Sequence, residues 1–393
     1  MAGEEGTSLL PPESLVETLR RLSEAAGVSG AEDEVRRAIV EQVRARLRPG
    51  DLLETDTMGN VVVIKRAQAP SAGGGEPGPA PLVMLAAHMD EVGLLVSSVE
   101  PDGTLRFKKV GGIDDRVLPG RQVHIGLKRV PGVIGARPIH LQKPEERRRV
   151  EDASNLVIDI GADSREQAER AVKVGDWAVF ATPFVRMTPR RVRGKALDDR
   201  VGCTVLLGVL ERAYPVDVAA VFTVQEEVGT RGAAISAYRV APDLALVLEG
   251  TTCADIPASE PHQEATRLGE GAALSVMDHT SIAHPALVEQ LVAVAERQGI
   301  PYQWRRTTAG GNDAGPIHVS RWGVPSASVS VPCRYIHGPA AVADLGDLQA
   351  AIRLVSAFLE QLPHNAPLAS VWQNGHEQRM RERAWLRDFS RRG

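Results

Sequence analysis

Cysteine is scarce in this chain. Cys203, Cys253 and Cys333 are the three in 393 residues, widely spaced and with no CxxC pair among them. An odd number of scattered thiols excludes a disulfide framework and a thiolate zinc site, and it fits reduced cysteines in a reducing compartment. Long apolar runs are also missing: no stretch reaches the roughly 18 residues that a membrane-spanning helix needs. The N-terminus, MAGEEGTSLLPPES, has no basic region followed by an apolar core, so a cytoplasmic location is expected. Neither sign of charge dominates. Lysine plus arginine number 46 against 50 aspartate plus glutamate, a net of -4, so there is no global basic field to attract nucleic acid or an anionic membrane, and neither is expected as a partner. HExxH, Walker and GxSxG patterns are absent. Gly269-Glu-Gly271-Ala-Ala lacks a good strand before it and a helix on it, which argues against a nucleotide site.

What remains is ordinary globular composition, 43% hydrophobic and 24% charged. The length exceeds the roughly 250–300 residues at which one core stops growing, so more than one domain is expected. Two helices are predicted over 13–48, broken at Gly27-Val-Ser29-Gly30 with Ser29 as a cap, followed by strands at 52–55 and 61–65 joined at Gly59-Asn60. Residues 69–81 read as a Gly/Pro/Ala spacer. Leu82-Val-Met-Leu-Ala-Ala87 is continuously apolar, as in a strand buried on both faces, and it delivers His88 to the strand end. Between Ser98 and Met187 the pattern changes to short alternating runs punctuated by glycine. One helix stands out there, over 164–172, opened by a Ser164-x-x-Gln167 capping box.

An α/β rhythm then returns: helix 201–213, strand 218–224, helix 232–238, strand 244–248, helix 286–298, strand 326–331 and helix 345–362. The expected fold is α/β, a mixed sheet flanked by helices with an inserted β-rich second domain. The divisions fall at 1–97 and 188–363 for the two parts of the larger domain, 98–187 for the insert and 364–393 for an arginine-rich tail read as a solvated terminal segment.

Chemistry concentrates at strand ends. His88 and Asp90 lie two apart on an extended segment and so face the same side. Asp90 can accept one imidazole N–H and leave the other nitrogen for a metal. Asp198-Asp199 precedes a helix, where acids serve as caps, or where one carboxylate bridges two cations. Glu226-Glu227 follows an apolar strand. Adjacent side chains on a strand point apart, so two glutamates share a site only if the chain turns, and Gly229 permits that. One Glu would then bind metal while its neighbour takes a proton from metal-activated water; the alternative is a solvated acidic turn. Glu249 ends the next strand and His337 follows the one after. His88, Asp198, Glu227, Glu249 and His337 supply two imidazoles and three carboxylates where open α/β sheets place their ligands, a set suited to zinc, cobalt or manganese in a hydrolytic site.

These residues resemble the tetrahedral, dodecameric dinuclear metalloaminopeptidases, the glutamyl or deblocking type sometimes called cellulase M. The resemblance runs from about Leu15 to Leu362. It is carried in order by Ser29-Gly-x-Glu32, Ala87-His88-Met-Asp90-Glu91-Val-Gly93, Gly194-Lys195-Ala-Leu-Asp198-Asp199-Arg200-x-Gly202, Gln225-Glu226-Glu227-Val-Gly229, Glu249-Gly-Thr-Thr, Gly310-Gly-Asn312-Asp313-Ala314 and Arg334-Tyr-Ile-His337. The resemblance implies a zinc-peptidase-like catalytic domain, a PDZ-like insert used in oligomerisation, and two divalent ions per subunit. His88, Asp198 and Glu249 would hold one ion and Asp198, Glu227 and His337 the other. Glu226 would be the general base and Asp90 the partner of His88. The substrates would be peptides with a free N-terminus, and the assembly a homo-oligomer, a dodecamer in the family. This chain departs at Glu249, where Asp is common, at Asn312, where Thr is common, and at Gly338, where Ser is common. Two other readings compete. An endoglucanase needs two carboxyl groups flanking the bond but leaves the histidines unexplained, and a non-catalytic binding protein on the same fold should have lost a ligand or the base.

Overall fold

In the computed structural model, residues 10–68, 81–257 and 259–362 are described. Nearly all of the 69–81 spacer, and the whole 364–393 tail, lie outside them. The amino-terminal helices α1 (Glu13–Glu24) and α2 (Asp33–Arg44) precede strands β1 (Leu52–Thr55), β2 (Val61–Lys65) and β3 (Leu82–His88). Six strands follow: β4 (Gly93–Val99), β5 (Leu105–Val110), β6 (Gln122–Ile125), β7 (Val130–Gly135), β8 (Val157–Asp159) and β9 (Trp177–Phe180). They close into a barrel in the order β4-β5-β8-β7-β6-β9, with helix α3 (Arg165–Glu169) against it. Its core is separate from that of the larger domain, built from Val96, Leu105, Phe107, Ile113, Ile134 and Ile158 among others.

The remainder of the chain supplies β10 (Val185–Arg186), β11 (Arg191–Gly194), α4 (Leu197–Val209), β12 (Asp217–Thr223), α5 (Arg231–Val240), β13 (Leu244–Thr252), β14 (Ala272–Leu274), α6 (Pro285–Gln298), β15 (Tyr302–Trp304), α7 (Ala314–His318), β16 (Ser326–Arg334), β17 (Ala341–Asp344) and α8 (Leu345–Gln361). With β1–β3 they build a mixed sheet ordered β1-β2-β12-β3-β13-β16-β17-β11-β10, with β14 and β15 added beside β16. Its central strands β12, β3, β13 and β16 run parallel.

Side-chain alternation explains why these apolar runs are strands. Val83, Leu85, Ala220, Phe222, Leu246 and Leu248 enter one core, shared with α1, α2, α4, α6 and α8. Their neighbours Met84, Ala86, Ala219, Val221, Ala245 and Val247 enter another, under α5 and α7. Both faces are covered, so both alternating sets are apolar and the run reads as continuous. Parallel register puts Thr223 opposite His88 at the ends of β12 and β3, and Glu249 opposite Ser330 at the same level; Glu249 does not end its strand as expected, because β13 and β16 stay paired as far as Thr252 and Cys333.

Three local expectations are corrected. Ser29 caps no helix: α2 begins after Glu32, and the Ser29 hydroxyl donates to Asp90. Helix α3 ends at Glu169 rather than 172, because Ala171 and Val172 both bond back to Ala168 and the chain turns toward Gly175. Its Ser164 accepts from Gln167 N–H, but the Gln167 side chain accepts from Asp163, not Ser164, so the capping box is incomplete. Helix α4 starts at Leu197 and ends at Val209, ahead of the expected 201–213.

Candidate metal centre and active site

Each site residue is aimed by a specific local device. His88 is the last residue of β3 and 2% exposed, with its main-chain N–H donated to Asp199. At the start of α4, Asp198 and Asp199 are not helical, and the peptide bond between them is cis. The two acids of this pair face different ways. Asp199 caps the helix, accepting Gly202 N–H at 2.9 Å, while Asp198 turns toward the imidazoles.

After β12 the chain does turn. Gln225 and Thr230 adopt left-handed backbone conformations (φ +56° and +51°), and Gly229 has φ +120°. Gly229 and Thr230 both donate to the Glu226 carbonyl. Asp90 holds this turn in place. Its carboxylate accepts Glu226 N–H at 3.0 Å, Glu227 N–H at 3.1 Å and the Ser29 hydroxyl at 2.6 Å, and it lies 3.3 Å from His88 Nδ1. One buried acid therefore holds the turn that carries both glutamates and lies beside an imidazole.

The donor atoms converge. His88 Nε2 is 3.2 Å from Asp198 Oδ1 and 3.2 Å from Glu249 Oε1, while His337 Nε2 is 3.4 Å from Asp198 Oδ2 and 3.4 Å from Glu227 Oε2. Two ligands at about 2.1 Å from one tetrahedral ion stand roughly 3.4 Å apart, so these separations are those of a ligand shell. The two oxygens of Asp198 face the two histidines separately. Atoms of His88, Asp198 and Glu227 lie within 4.8 Å of one another, as do those of His88, Asp199 and Glu249. In that second set Asp199 already accepts the main-chain N–H groups of His88 and Gly202, which makes Asp198 the better donor. Glu249 Oε2 is buried with no hydrogen-bond partner among the described residues. The expected ligands are thus together, and an imidazole–carboxylate set with an orphaned buried oxygen fits divalent cations.

Electrostatics point the same way. Burial pushes Glu226 up to about 10, reinforced by Glu249 and only partly opposed by His88. Burial likewise raises Glu249 to about 8 and, together with the charge of Asp198, Glu227 to about 7. Burial disfavours charge on His88, but Glu249, Asp198 and Asp90 outweigh it and hold the imidazole well above its ordinary range. Its hydrogen bond to Asp198 raises His337 to about 9. Without cations the cluster therefore holds protons at pH 7, those on Glu249 and the two imidazoles lying on groups that would bind metal, and ligation must expel these. Titrating metal into the metal-free protein at pH 7 is expected to release protons, with affinity rising from pH 6 to pH 9. Calorimetry in buffers of different ionisation enthalpy reads this directly; heat independent of the buffer would contradict it.

The centre opens into a cavity of about 280 Å³ lined by His88, Glu226, Glu249, Asn312 and His337, with Arg305 on its wall. Several contributors have roles here that the local sequence pattern does not assign to them. Ser29 and Thr223 hold Asp90 and Asp313 respectively. Asp313 is buried beside the centre, raised to about 6 by burial, with Oδ1 unpartnered among the described residues. Arg305 bonds to Thr251 and to the carbonyls of Thr307 and Ala309, shaping the rim. The Gly269-Glu-Gly271 run carries no nucleotide signature here; both glycine N–H groups donate to buried Asp347. Of the cysteines, Cys203 donates to the His88 carbonyl, and all three are free and buried.

Comparison with known proteins gives this geometry a family. The glutamyl aminopeptidase of Lactococcus lactis subsp. cremoris is 32% identical over 361 residues, covering 88% of this chain and 96% of that protein. A TET aminopeptidase from a marine-sediment Thaumarchaeota archaeon superposes with a TM-score of 0.83 at 37% identity, over 89% of this chain and 97% of the other. The TET1 peptidase of Pyrococcus horikoshii, described as assembling into a tetrahedron or a large octahedral shell, has a TM-score of 0.75 at 32% identity, over 88% and 99%. Residues 72–354 match the model for M42 glutamyl aminopeptidases, and with these likenesses the chain belongs to that family.

Proposed function

We propose that His88, Asp198 and Glu249 hold one divalent ion and Asp198, Glu227 and His337 a second, in a site that hydrolyses the N-terminal peptide bond of peptides. The family is one of metal-dependent aminopeptidases. The observation that carries the assignment is Asp198, whose two oxygens face His88 and His337 at 3.2 and 3.4 Å. Bound ions there supply Lewis acidity and bring the pKa of water toward neutrality. Zinc, cobalt or manganese all suit the donors.

The protein's own part is proton movement and orientation. Glu226 faces the cavity with Oε2 3.9 Å from His88 Nε2, takes the proton of the attacking water and returns it to the leaving amine. Asp90 does not meet substrate. It keeps His88 in the tautomer that leaves Nε2 free and pins the Glu226–Glu227 turn through their N–H groups. A glycosidase reading gains nothing, since it has no use for the paired imidazoles. A non-catalytic role predicts a lost ligand or base, whereas this chain keeps an imidazole or carboxylate at each of these positions, apart from the exchange of Asp for Glu at 249.

Two further assignments complete the reading. The barrel is the oligomerisation module, PDZ-like in the family, and the chain forms a homo-oligomer, by analogy with the TET1 shells. Buried free thiols suit the cytoplasm, and no helix among the described residues is long and apolar enough to cross a membrane. The test is a chelated sample reloaded with zinc, cobalt or manganese and assayed on free and N-acetylated aminoacyl substrates. Activity should vanish on chelation, return with metal and be lost on acetylation. Metal-independent turnover, or indifference to acetylation, rejects the assignment.

A further inference from the structure

The two halves of the centre are supported differently. His88 is nearly inaccessible, at a strand end, with Asp90 behind it. His337 lies beyond β16 on a turn where both Tyr335 and His337 have positive φ (+63° and +55°), and its side chain is 41% exposed. A ring on such a turn needs an outside contact to fix its orientation. That contact comes from the barrel: His337 Nδ1 is 3.0 Å from the Gly112 carbonyl, across 225 residues of sequence.

The chemistry of this bond has one solution. A carbonyl only accepts, so Nδ1 carries the hydrogen, and in the neutral ring Nε2 is left with its lone pair toward Asp198 and Glu227. The neighbouring backbone is also pressed against the site. A Cβ on Gly112 would stand 3.3 Å from His337 Nδ1, and one on Gly111 (φ +81°) would meet Val92 at 2.8 Å and the Cβ of Glu227 at 3.3 Å. Two consecutive glycines thus let one loop approach both residues of this half. The loop is anchored on its far side by the Ile113 side chain, buried in the barrel core, and by Lys109 Nζ, which donates to the Ile113 carbonyl at 2.8 Å.

We infer that the Gly111-Gly112 loop is a positioning element of the metal centre, through which the barrel completes the half built by Glu227 and His337. The inference rests on the proposed two-ion reading. It makes the insert part of the site as well as an assembly module, and it predicts that loop changes act on one ion and spare the other. Substituting a group that orients a ligating histidine typically costs roughly tenfold to a hundredfold in metal affinity.

The test is calorimetric titration of the metal-free full chain with zinc, paired with the visible spectrum of stepwise cobalt loading. Gly112→Ala places a Cβ against the ring, and Lys109→Ala releases the loop from a solvent-facing position, so the second variant decides if the first does not fold. The expected result is a second equivalent weakened at least about tenfold, a first equivalent within twofold of the unsubstituted chain, and an altered spectrum only for the second cobalt. Arg116→Ala, in the same segment but paired with exposed Asp114, should change neither. Unchanged second-equivalent affinity in the folded variants, or equal weakening of both, overturns the proposal. His337→Ala separates the two ideas: if it loses one equivalent while the loop variants lose nothing, only the positioning role fails. If it keeps both, the two-ion reading fails with it.

Discussion

Glu226→Gln is expected to lower kcat by about 10²–10⁴ with KM and metal content little changed. Glutamine keeps the length of the side chain, and the main-chain N–H still donates to Asp90, so the turn that carries Glu227 stays in place. What is lost is the ability to accept a proton at an atom 3.9 Å from His88 Nε2 on the wall of the cavity. Metal analysis of the purified variant beside its steady-state kinetics separates this from a ligand defect. Turnover equal to that of the unsubstituted chain removes Glu226 from the mechanism, and loss of metal reassigns it as a ligand.

Asp198→Asn should be more severe in a different way, emptying both sites at once. Its two oxygens are each committed to a different histidine, and both imidazoles hold the carboxyl well below the ordinary carboxylate range despite its burial. A neutral amide offers one oxygen donor and leaves one of the two histidines facing an NH₂ group. We expect metal content to fall from two ions per chain to below one, with activity reduced at least about a thousandfold, the scale of losing both Lewis acidity and the activated water. Retention of one tightly bound ion would mean that the halves are independent and that Asp198 does not bridge.

The legible parts of this protein share a cause. Continuous apolar runs such as Leu82–Ala87 mark central parallel strands because both of their faces are buried, and His88, Glu226, Glu227, Glu249 and His337 follow such runs, Glu249 within β13 at the level where β3 and β12 end. Asp90 was readable as the partner of His88 from a spacing of two. Its larger task, accepting both glutamate N–H groups and Ser29, was not, because those partners lie 136, 137 and 61 residues away. Ser29 reads as a helix cap by local pattern, since serine before an apolar periodic stretch ordinarily is one. The short strands β10, β11, β14, β15 and β17 leave no sequence signal for the opposite reason: two to four residues carry too little pattern to distinguish them from loop.

From the sequence alone came the α/β architecture, the β-rich insert and the identity of the candidate ligands. Periodicity reports which faces are buried, and chemistry confines imidazole and carboxylate clusters to a few roles. Tertiary structure alone decided which oxygen faces which nitrogen. It showed that Asp199 caps the helix while the two oxygens of Asp198 face different histidines, and that a main-chain carbonyl of the barrel contacts His337. A carbonyl belongs to every residue and leaves no mark in a sequence. The contact exists only once two glycines allow the backbone of one domain to approach Glu227 and His337 of the other.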